Sequence, residues 1–541
     1  MLIARQRRRE PFAPRRRHLK ESEGYEMKRR AARSPHSAVM AEIPEIINRY
    51  RITTAAVTPE SQTLMVVAIS EGAGKADFAA AALDEALIRH IQREMASHFF
   101  RGKPGECHRT NLPTGRCLLI GAGKKPDAGI YRWMGGQIAA AAKDCQGTAV
   151  RIHRGMIPHA QWPAAVEAIT EGIELASFSF DVYKSIVKEA TAPARAVTYH
   201  FAAEGLATAS LNHAIHRSAQ IASAVNFARH LANQPPNVIN PSTLTAICQT
   251  LAKRLGLKLR VVGYAEAAKL SMGGLCAVGK GSPNKPALII LEHKPSKVGG
   301  KDAVAIVGKA VTFDTGGISI KPAADMGAMK YDKCGGMAAI GVLCAAALLK
   351  MPRHVIGVIP TAENMVDGDA YRPGDIIHMY NNKTVDITNT DAEGRLILAD
   401  AIGYACKAYG AKTVIDMATL TGGVITALGG VYGGLMSNND ALAQRLIEAG
   451  QATDEWVWRL PLHERYRKLL DSPHADMVNS GNREAHAIQG GMFLQEFVPD
   501  GIHWAHLDIA GVAHPRKDHR YLKGEQASGF GVRLIMHYLT A

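Results

Sequence analysis

Acidic and basic residues alternate over positions 389–396, where the sequence reads Asn-Thr-Asp-Ala-Glu-Gly-Arg-Leu. If this segment is extended, Asp391, Glu393 and Arg395 point to one side, because successive side chains of an extended chain alternate between two faces. Two carboxylates on one side repel each other unless a cation or a proton joins them. The spacing therefore indicates either a cation site or a group of ion pairs on an ordinary loop.

Two more carboxylates and two lysines lie in an earlier glycine-rich region, at Lys309, Asp314, Lys321 and Asp332. Three or four converging carboxylates can hold two divalent cations about 3.5–4 Å apart, which activate a water and polarise a carbonyl or phosphoryl oxygen. The sequence contains no HExxH pattern, so the predicted site is rich in oxygen ligands. Spacing alone does not bring these segments together, and ion pairs on ordinary loops remain the alternative.

The second half of the chain alternates between strand-like and helix-like patterns, and these elements would position the charged residues. Such alternation predicts a largely parallel sheet that is covered by helices on both faces. Active sites in sheets of this kind lie at the carboxyl ends of the strands. The strand-like runs are 259–264, 287–292, 303–307, 354–359 and 413–415, and the helix-like runs are 242–255, 337–349, 396–407, 441–449 and 488–498.

The first half also alternates, with strand-like runs at 63–69 and 116–120 and a helix-like run at 77–98. A further helical pattern over 212–232 runs into Asn-Gln-Pro-Pro, where proline ends it. The sequence thus predicts an α/β protein of two domains, of which the larger has a mostly parallel central sheet flanked by helices. The predicted parts are an N-terminal α/β domain at 41–210, a linker helix at 211–236 and a C-terminal catalytic domain at 237–541.

The first forty residues carry a large part of the chain's net charge of +15. They contain ten Arg and two Lys against four Glu, a net charge of +8. Because such a segment has few apolar residues to bury, residues 1–40 are predicted to be a disordered basic extension. A start at Met27 or Met40, a mitochondrial transit peptide and a nucleic-acid-binding arm are the alternatives. Since four Glu are poor for an import signal, we expect a cytoplasmic protein.

The composition of the whole chain, with 47% apolar and 21% charged residues, is close to that of an average soluble globular protein. The eight cysteines are scattered without a CxxC pair, which favours reduced thiols. Residues 417–436 contain no charge, but six are Gly and three are Thr. We interpret this stretch as a buried strand followed by a glycine-rich loop, and we expect no membrane association.

Three segments together resemble the leucyl aminopeptidase family of dinuclear metallopeptidases, the M17 type of cytosol aminopeptidase. They are residues 308–321, residues 329–332 and the string at 389–396, which is similar to the family's signature. The resemblance covers roughly residues 220–541 and includes 233–236, 418–422, 482–485 and 508–511. The N-terminal half resembles the family's variable domain only in position and pattern.

The resemblance implies a ligand set for two divalent cations, zinc or manganese and possibly cobalt. Asp314 and Glu393 would be shared by both ions, and Lys309 would bind one ion through a neutral amine. Because the ordinary lysine pKa is about 10.4, the metal must displace a proton there. The implied metal ligands are Lys309, Asp314, Asp332, Asp391 and Glu393.

The resemblance also implies two catalytic residues and a specificity pocket. Lys321 would act as an electrophile, and Arg395 would hold a bicarbonate ion that serves as general base. The implied pocket for the first side chain of the substrate consists of Met329, Thr419, Gly422 and Ala510.

The implied activity is the removal of N-terminal residues, preferably leucine-like, from short peptides by a two-metal mechanism with a bridging hydroxide. The family assembles as a homohexamer, a dimer of trimers, and we expect the same here. A two-metal phosphoesterase is the rival enzyme, because a carboxylate cluster of this kind also suits phosphate oxygens. A DNA-binding role through residues 1–40 is the rival that is not enzymatic.

Overall fold

The computed structural model describes residues 51–54, 64–81, 83–97, 99–113, 115–144, 149–184, 197–203, 205–295, 303–514 and 526–541. All of them belong to one compact unit, Ile43–Ala541. The basic extension predicted over 1–40 lies outside the described residues, so its prediction stays untested.

The first half of the described chain forms a six-stranded sheet in the order β1-β6-β5-β2-β4-β3. All neighbours pair in parallel except β3, which is antiparallel to β4. The strands are β1 Arg51–Thr53, β2 Leu64–Ser70, β3 Cys107–Leu112, β4 Gly115–Gly123, β5 Ala149–His153 and β6 Thr198–Phe201, and the helices are α1 Lys75–Ala80, α2 Glu85–Ala96, α3 Ala128–Asp144 and α4 Trp162–Ser177. The single helix predicted over 77–98 is wrong, because Asp84 caps a new helix by accepting a hydrogen bond from Leu87 N at 2.8 Å.

The second half forms a nine-stranded sheet in the order β16-β15-β18-β14-β9-β11-β8-β7, with β10 paired to β11 beyond the end of β9. The central strands β18, β14, β9 and β11 are parallel, and antiparallel pairs occur toward the two edges. This confirms the predicted fold class. The strands are β7 Lys258–Gly263, β8 Ala287–His293, β9 Val304–Gly308, β10 Ala310–Asp314, β11 Val355–Asn364, β14 Thr413–Ala418, β15 Gly433–Ser437, β16 Val457–Arg459 and β18 His503–Asp508.

Helices cover this sheet, and a small three-stranded sheet lies beside it in the order β12-β13-β17. The small strands are β12 Ile376–His378, β13 Thr384–Asp386 and β17 Met477–Val478. The helices are α5 Thr208–Asn233, α6 Pro241–Leu255, α7 Tyr264–Lys269, α8 Gly273–Gly279, α9 Cys334–Leu348, α10 Glu393–Tyr409, α11 Gly422–Leu428, α12 Asp440–Thr453, α13 His486–Gln495 and α14 Val532–Thr540.

Helix α9 is apolar on all sides, and a helix of this kind is buried. A Cβ on Gly335 in its first turn would lie 2.1 Å from the carbonyl oxygen of Met417, so only glycine allows this close approach to β14. The segment Met326–Leu348 is long and apolar enough to span a membrane. However, 89% of its 18-residue apolar stretch is buried inside the protein. We therefore interpret α9 as a core helix.

The uncharged stretch 417–436 differs in part from its prediction. The predicted strand is present as β14, but the following residues are not only a loop, because they include helix α11 and the start of β15. Thr421 begins α11 by accepting a hydrogen bond from Val424 N at 3.1 Å. Short polar caps of this kind are difficult to see in a glycine-rich sequence.

The long helix α5 occupies most of the predicted linker at 211–236 and contacts both halves of the chain. Its Arg229 donates to Leu175 O at 2.8 Å and to Ala527 O at 3.1 Å. A buried ion pair between Arg132 and Glu171, at 2.5 Å, lies close to Arg533 of α14. The two halves are thus tied together by polar contacts, while the domain limits at 210 and 236 stay a prediction.

Candidate metal centre

Carboxylates from three separate segments converge at the carboxyl end of the large sheet. Asp314 ends β10, Asp332 follows the 3-10 turn Met326–Tyr331, and Glu393 begins α10. One ligand oxygen from each of these three lies within 4.8 Å of the other two, and all three residues are buried. Asp391 precedes α10 and reaches the same cluster through Lys321. The structure therefore brings together segments that sequence spacing alone left apart.

The extended conformation that was considered as a condition for 391–395 is not the one observed. Glu393 and Arg395 lie in the first turn of α10, whose N-cap is Ala392. The preceding loop is fixed by Thr390, whose hydroxyl donates to Gly316 O at 2.6 Å and accepts from Ser319 N at 2.8 Å. The acidic side chains meet because helix α10 begins at Glu393, just after Asp391.

The loop after β10 is shaped by two glycines with positive φ, Gly316 at 85° and Gly317 at 67°. A Cβ on Gly316 would lie 2.9 Å from the Asp391 carboxylate, so the loop can approach that side chain only as glycine. Its amide N–H donates to Asp314 Oδ1 at 2.8 Å, and the Asn364 side-chain amide donates to the same oxygen at 2.8 Å. These contacts orient the Asp314 carboxylate into the cluster.

Two lysines lie against the carboxylates. Lys309 Nζ is 2.8 Å from Asp332 Oδ1 and 2.8 Å from Glu393 Oε1, and it donates to Thr419 O at 2.9 Å. Lys321 Nζ is 2.9 Å from Asp314 Oδ2 and also contacts Asp391. Burial opposes the charge of Lys309, but the nearby carboxylates outweigh it and raise the pKa of this lysine. In this arrangement the carboxylates therefore favour the protonated form of Lys309.

Several buried oxygens of the cluster lack a hydrogen-bond partner, namely Asp332 Oδ2, Glu393 Oε1 and Asn364 Oδ1. Glu393 Oε1 is close to Lys309, but that contact lacks hydrogen-bond geometry. Burial, with the neighbouring carboxylates, raises the pKa of Asp314 and Asp332. Buried oxygens without partners need an explanation, and carboxylate and amine donors suit divalent cations such as zinc or manganese. The residues thus fit a metal centre.

Arg395 lies beside this cluster and is only 2% exposed. Its Nη1 donates to Asn479 O at 2.8 Å, whereas its Nε has no partner. Burial lowers the pKa of this guanidinium to about 10. Among the described residues no carboxylate forms a salt bridge with Arg395. A buried guanidinium in this state has capacity for an anion.

Two of the predicted pocket residues, Met329 and Thr419, lie next to Asp332. Thr419 Oγ1 donates to Asp332 Oδ1 at 2.8 Å, and Met329 belongs to the turn that precedes Asp332. Gly422 begins α11. Asp508 joins this loop to Ala510, because its carboxylate accepts from Leu420 N at 3.1 Å, Thr421 Oγ1 at 2.6 Å and Ala510 N at 3.2 Å.

Sequence reasoning gave no role to Asn364, Asn479 or Asp508, which orient the site. Asn364 and Asp508 are the last residues of β11 and β18, and Asn479 follows β17. Asn479 accepts from Thr388 N at 2.9 Å through its side chain, and its backbone oxygen accepts from Arg395. A polar residue at the end of an apolar strand was the signal that could have found all three.

Profiles of known families match most of this chain. The catalytic domain of the cytosol aminopeptidase family matches residues 226–536, and the N-terminal domain of the same family matches residues 66–186. The chain belongs to the cytosol aminopeptidase family. As a member of that family it is a peptidase, a hydrolase that acts on peptides and depends on divalent metal. The sequence prediction of family and enzyme class is confirmed.

Curated relatives agree with this assignment along most of their length. A probable cytosol aminopeptidase of Cenarchaeum symbiosum is 42% identical over 447 residues, which cover 81% of this chain and 89% of the relative. A probable cytosol aminopeptidase of Rhodopseudomonas palustris is 39% identical over 457 residues, which cover 83% of this chain and 90% of the relative.

Solved structures show the same fold. A mutant of tomato leucine aminopeptidase superposes with a TM-score of 0.79 at 29% identity, covering 91% of this chain and 96% of the other. The bottromycin maturation enzyme BotP, solved in complex with Mn, superposes with a TM-score of 0.76 at 30% identity, covering 88% of this chain and 99% of the other. The cytosol aminopeptidase architecture thus extends over both halves of the chain.

Proposed function

We propose that this cytosol aminopeptidase is a leucyl aminopeptidase that removes N-terminal residues, preferably leucine-like, from short peptides. The observation that carries the proposal is the group of three buried carboxylates, Asp314, Asp332 and Glu393, with partnerless oxygens at the carboxyl end of the sheet. Similarity to tomato leucine aminopeptidase supports the substrate class.

Two divalent cations would be held by five residues, with Asp314 and Glu393 shared between them. When bound, the cations supply Lewis-acid polarisation of a carbonyl and a nucleophilic water near neutral pH. Zinc, manganese and cobalt suit the mixed amine and carboxylate donors, and the manganese complex of BotP supports this choice. The proposed ligands are Lys309, Asp314, Asp332, Asp391 and Glu393.

Lys321 and Arg395 serve the reaction without binding metal in this proposal. Lys321 points its ammonium group at Asp314 and Asp391, where it can stabilise negative charge that develops on the scissile carbonyl oxygen. Arg395 has a free Nε and would hold bicarbonate, which would supply a general base. In this proposal Lys321 stabilises charge and Arg395 binds the anion.

The first side chain of the peptide is proposed to lie among Met329, Thr419, Gly422 and Ala510. Thr419 is fixed by its hydrogen bond to Asp332, and Ala510 by its bond to Asp508. Of these four residues only Thr419 carries a polar side chain, and none is charged, which favours a branched aliphatic side chain over a charged one. Leucine p-nitroanilide should therefore be cleaved faster than the aspartate or lysine derivative.

The rival phosphoesterase is separated by assaying leucine p-nitroanilide and p-nitrophenyl phosphate in parallel on the same metal-loaded protein. We expect hydrolysis of the amide alone, because Lys321 and the pocket fit a neutral peptide carbonyl beside an apolar side chain. Hydrolysis of the phosphate ester at an equal or higher rate would contradict the proposal.

No described residue favours the DNA-binding alternative, since the basic segment lies outside the described part of the chain.

A homohexamer is proposed, and an exposed aromatic cluster supports self-association. Trp458 of the edge strand β16 is 58% exposed, and its ring lies 6.0 Å from that of Tyr432, which is 5.6 Å from Trp456. Exposed aromatic patches mark interaction surfaces.

Light scattering at several concentrations should give the mass of six subunits. Trp458→Glu is expected to lower that mass, whereas Phe99→Glu, at another exposed aromatic residue, should leave it unchanged; a fully active monomer would refute the assembly.

We propose a cytoplasmic location, which the relatives named cytosol aminopeptidases support. The N-terminal sequence of protein isolated from cell fractions tests it. An intact or Met27-initiated chain in the soluble fraction is expected. A mature chain that starts near Met40 in a mitochondrial fraction would overturn the proposal.

A further inference from the structure

One face of helix α13 is turned toward Arg395. His486, Gly490 and Phe493 follow each other at intervals of four and three residues, so they share one side of the helix. A Cβ on Gly490 would lie 3.8 Å from Arg395 Nη2, and the Phe493 ring centroid is 5.9 Å from Arg395 Cζ. His486 therefore stands on the face of α13 that borders the guanidinium, one turn before Gly490.

The imidazole of His486 is half-buried and forms no hydrogen bond or ion pair within the described part of the chain. Its Cβ lies 3.0 Å from the position that a Gly423 Cβ would occupy, so the residue packs against the start of α11. Burial, together with the charge of Arg395, lowers the pKa of His486, while Asp508 opposes this shift. The lowered pKa favours the neutral ring, whose one N–H has no acceptor among the described residues.

The backbone before α13 is held in an uncommon conformation. Ala485, the N-cap of the helix, has a φ of 48°, a left-handed value that costs energy for a residue with a Cβ. Buried Gln489 fixes this turn, because its side chain accepts from Gly481 N at 3.1 Å and donates to Asn482 O at 3.0 Å. The turn sets the place where His486 begins the helix.

We propose that His486 is a second anion-binding side chain, which together with Arg395 holds a small oxyanion of the bicarbonate or carboxylate class. The inference rests on the proposed role of Arg395 and adds a residue to it. Arg395 Nε is buried without a partner, and the free imidazole lies on the helix face that borders this guanidinium. A guanidinium and an imidazole N–H can donate to different oxygens of one planar anion.

Two sources of such an anion are possible, free bicarbonate and the C-terminal carboxylate of a short peptide. Binding of [13C]bicarbonate to the zinc-loaded, full-length protein is measured by the line width of its carbon signal. In parallel, KM is measured for Leu-Gly, which has a carboxylate, and for Leu-glycinamide, which lacks one. The variants are His486→Ala, His486→Gln, Arg395→Gln and, as a matched control at an exposed histidine, His474→Gln.

If bicarbonate is the ligand, His486→Ala should weaken its binding roughly three- to tenfold, the effect of one lost hydrogen bond. His486→Gln, which keeps an N–H donor, should lose less, and His474→Gln should bind like the wild type. If the peptide carboxylate is the ligand, His486→Ala should instead raise KM for Leu-Gly by a similar factor and leave KM for Leu-glycinamide unchanged.

The inference is overturned if His486→Ala retains wild-type bicarbonate binding and wild-type KM for Leu-Gly while Arg395→Gln loses either. That outcome would leave the proposed role of Arg395 intact. If Arg395→Gln also binds both anions like the wild type, or if the wild type binds neither, the proposed anion site at Arg395 falls together with His486. The thermal unfolding temperature of His486→Ala, compared with that of the wild type, reports whether the variant is folded.

Discussion

Glu393→Gln is expected to abolish peptide hydrolysis and to lower the metal content of the purified protein. Glu393 is 2% exposed, and its carboxylate lies among Asp314, Asp332 and Lys309 in the middle of the cluster. The substitution keeps the volume of the side chain and removes its charge, so packing is preserved while the attraction for cations is lost. Leucine p-nitroanilide hydrolysis and elemental analysis by mass spectrometry measure the two effects.

Glu496→Gln provides the matched control, because Glu496 is a partly buried glutamate that pairs with Lys383 and Arg467 outside the cluster. It should retain wild-type turnover and metal. Asp391→Ala should behave like Glu393→Gln. If either variant kept wild-type turnover and an unchanged metal stoichiometry, the residue that it replaces, Asp391 or Glu393, would not be a metal ligand.

Lys321→Ala is expected to keep its metal and to lose about 10²–10³ in kcat, the usual cost of removing one positioned electrostatic stabiliser. The ammonium group of Lys321 contacts Asp314 and Asp391 from the more open side of the cluster, where its side chain is 21% exposed. Substrate can therefore reach this lysine, whereas Lys309 is enclosed by the carboxylates and the Thr419 carbonyl. Steady-state kinetics combined with metal analysis separates the two roles.

Lys309→Met is the comparison that sharpens this test, since it should lose metal as well as activity. Lys285→Met, at an exposed lysine whose Nζ donates to Lys280 O, should affect neither. If Lys321→Ala lost its metal to the same extent as Lys309→Met, the division between a stabilising lysine and a ligating lysine would be wrong.

The fold class could be predicted from the sequence because the elements of the second half are long and strongly patterned. The helices predicted at 337–349 and 396–407 correspond to α9 and α10, which begin three residues earlier in each case. Short polar caps and turns were not predictable from periodicity. Asp84 divides a predicted single helix into α1 and α2, and Thr421 starts a helix inside a predicted loop.

The resemblance pointed to Asp314, Asp332 and Glu393, which the structure brings together, but the geometry of the cluster could not be predicted. The alternation in the 389–396 string would place Asp391, Glu393 and Arg395 on one side only if the segment were extended, but Glu393 and Arg395 lie in a helical turn. Their convergence with Asp314 depends on contacts across long sequence separations, such as Thr390 with Gly316 and Asn364 with Asp314. No local pattern encodes these contacts, because they arise only when β10 and β11 pair and the loops close over the end of the sheet.

The most direct test of the proposed two-metal peptidase is hydrolysis of leucine p-nitroanilide by chelator-stripped protein to which zinc, manganese, cobalt or magnesium is returned in measured amounts. The partnerless oxygens of Asp332 and Glu393 and the proposed sharing of Asp314 and Glu393 predict no activity in the stripped protein. Activity should return with zinc, manganese or cobalt and should reach its maximum at two ions bound per subunit. Full amide hydrolysis by the stripped protein, or saturation of activity at a single bound ion, would contradict the proposed mechanism.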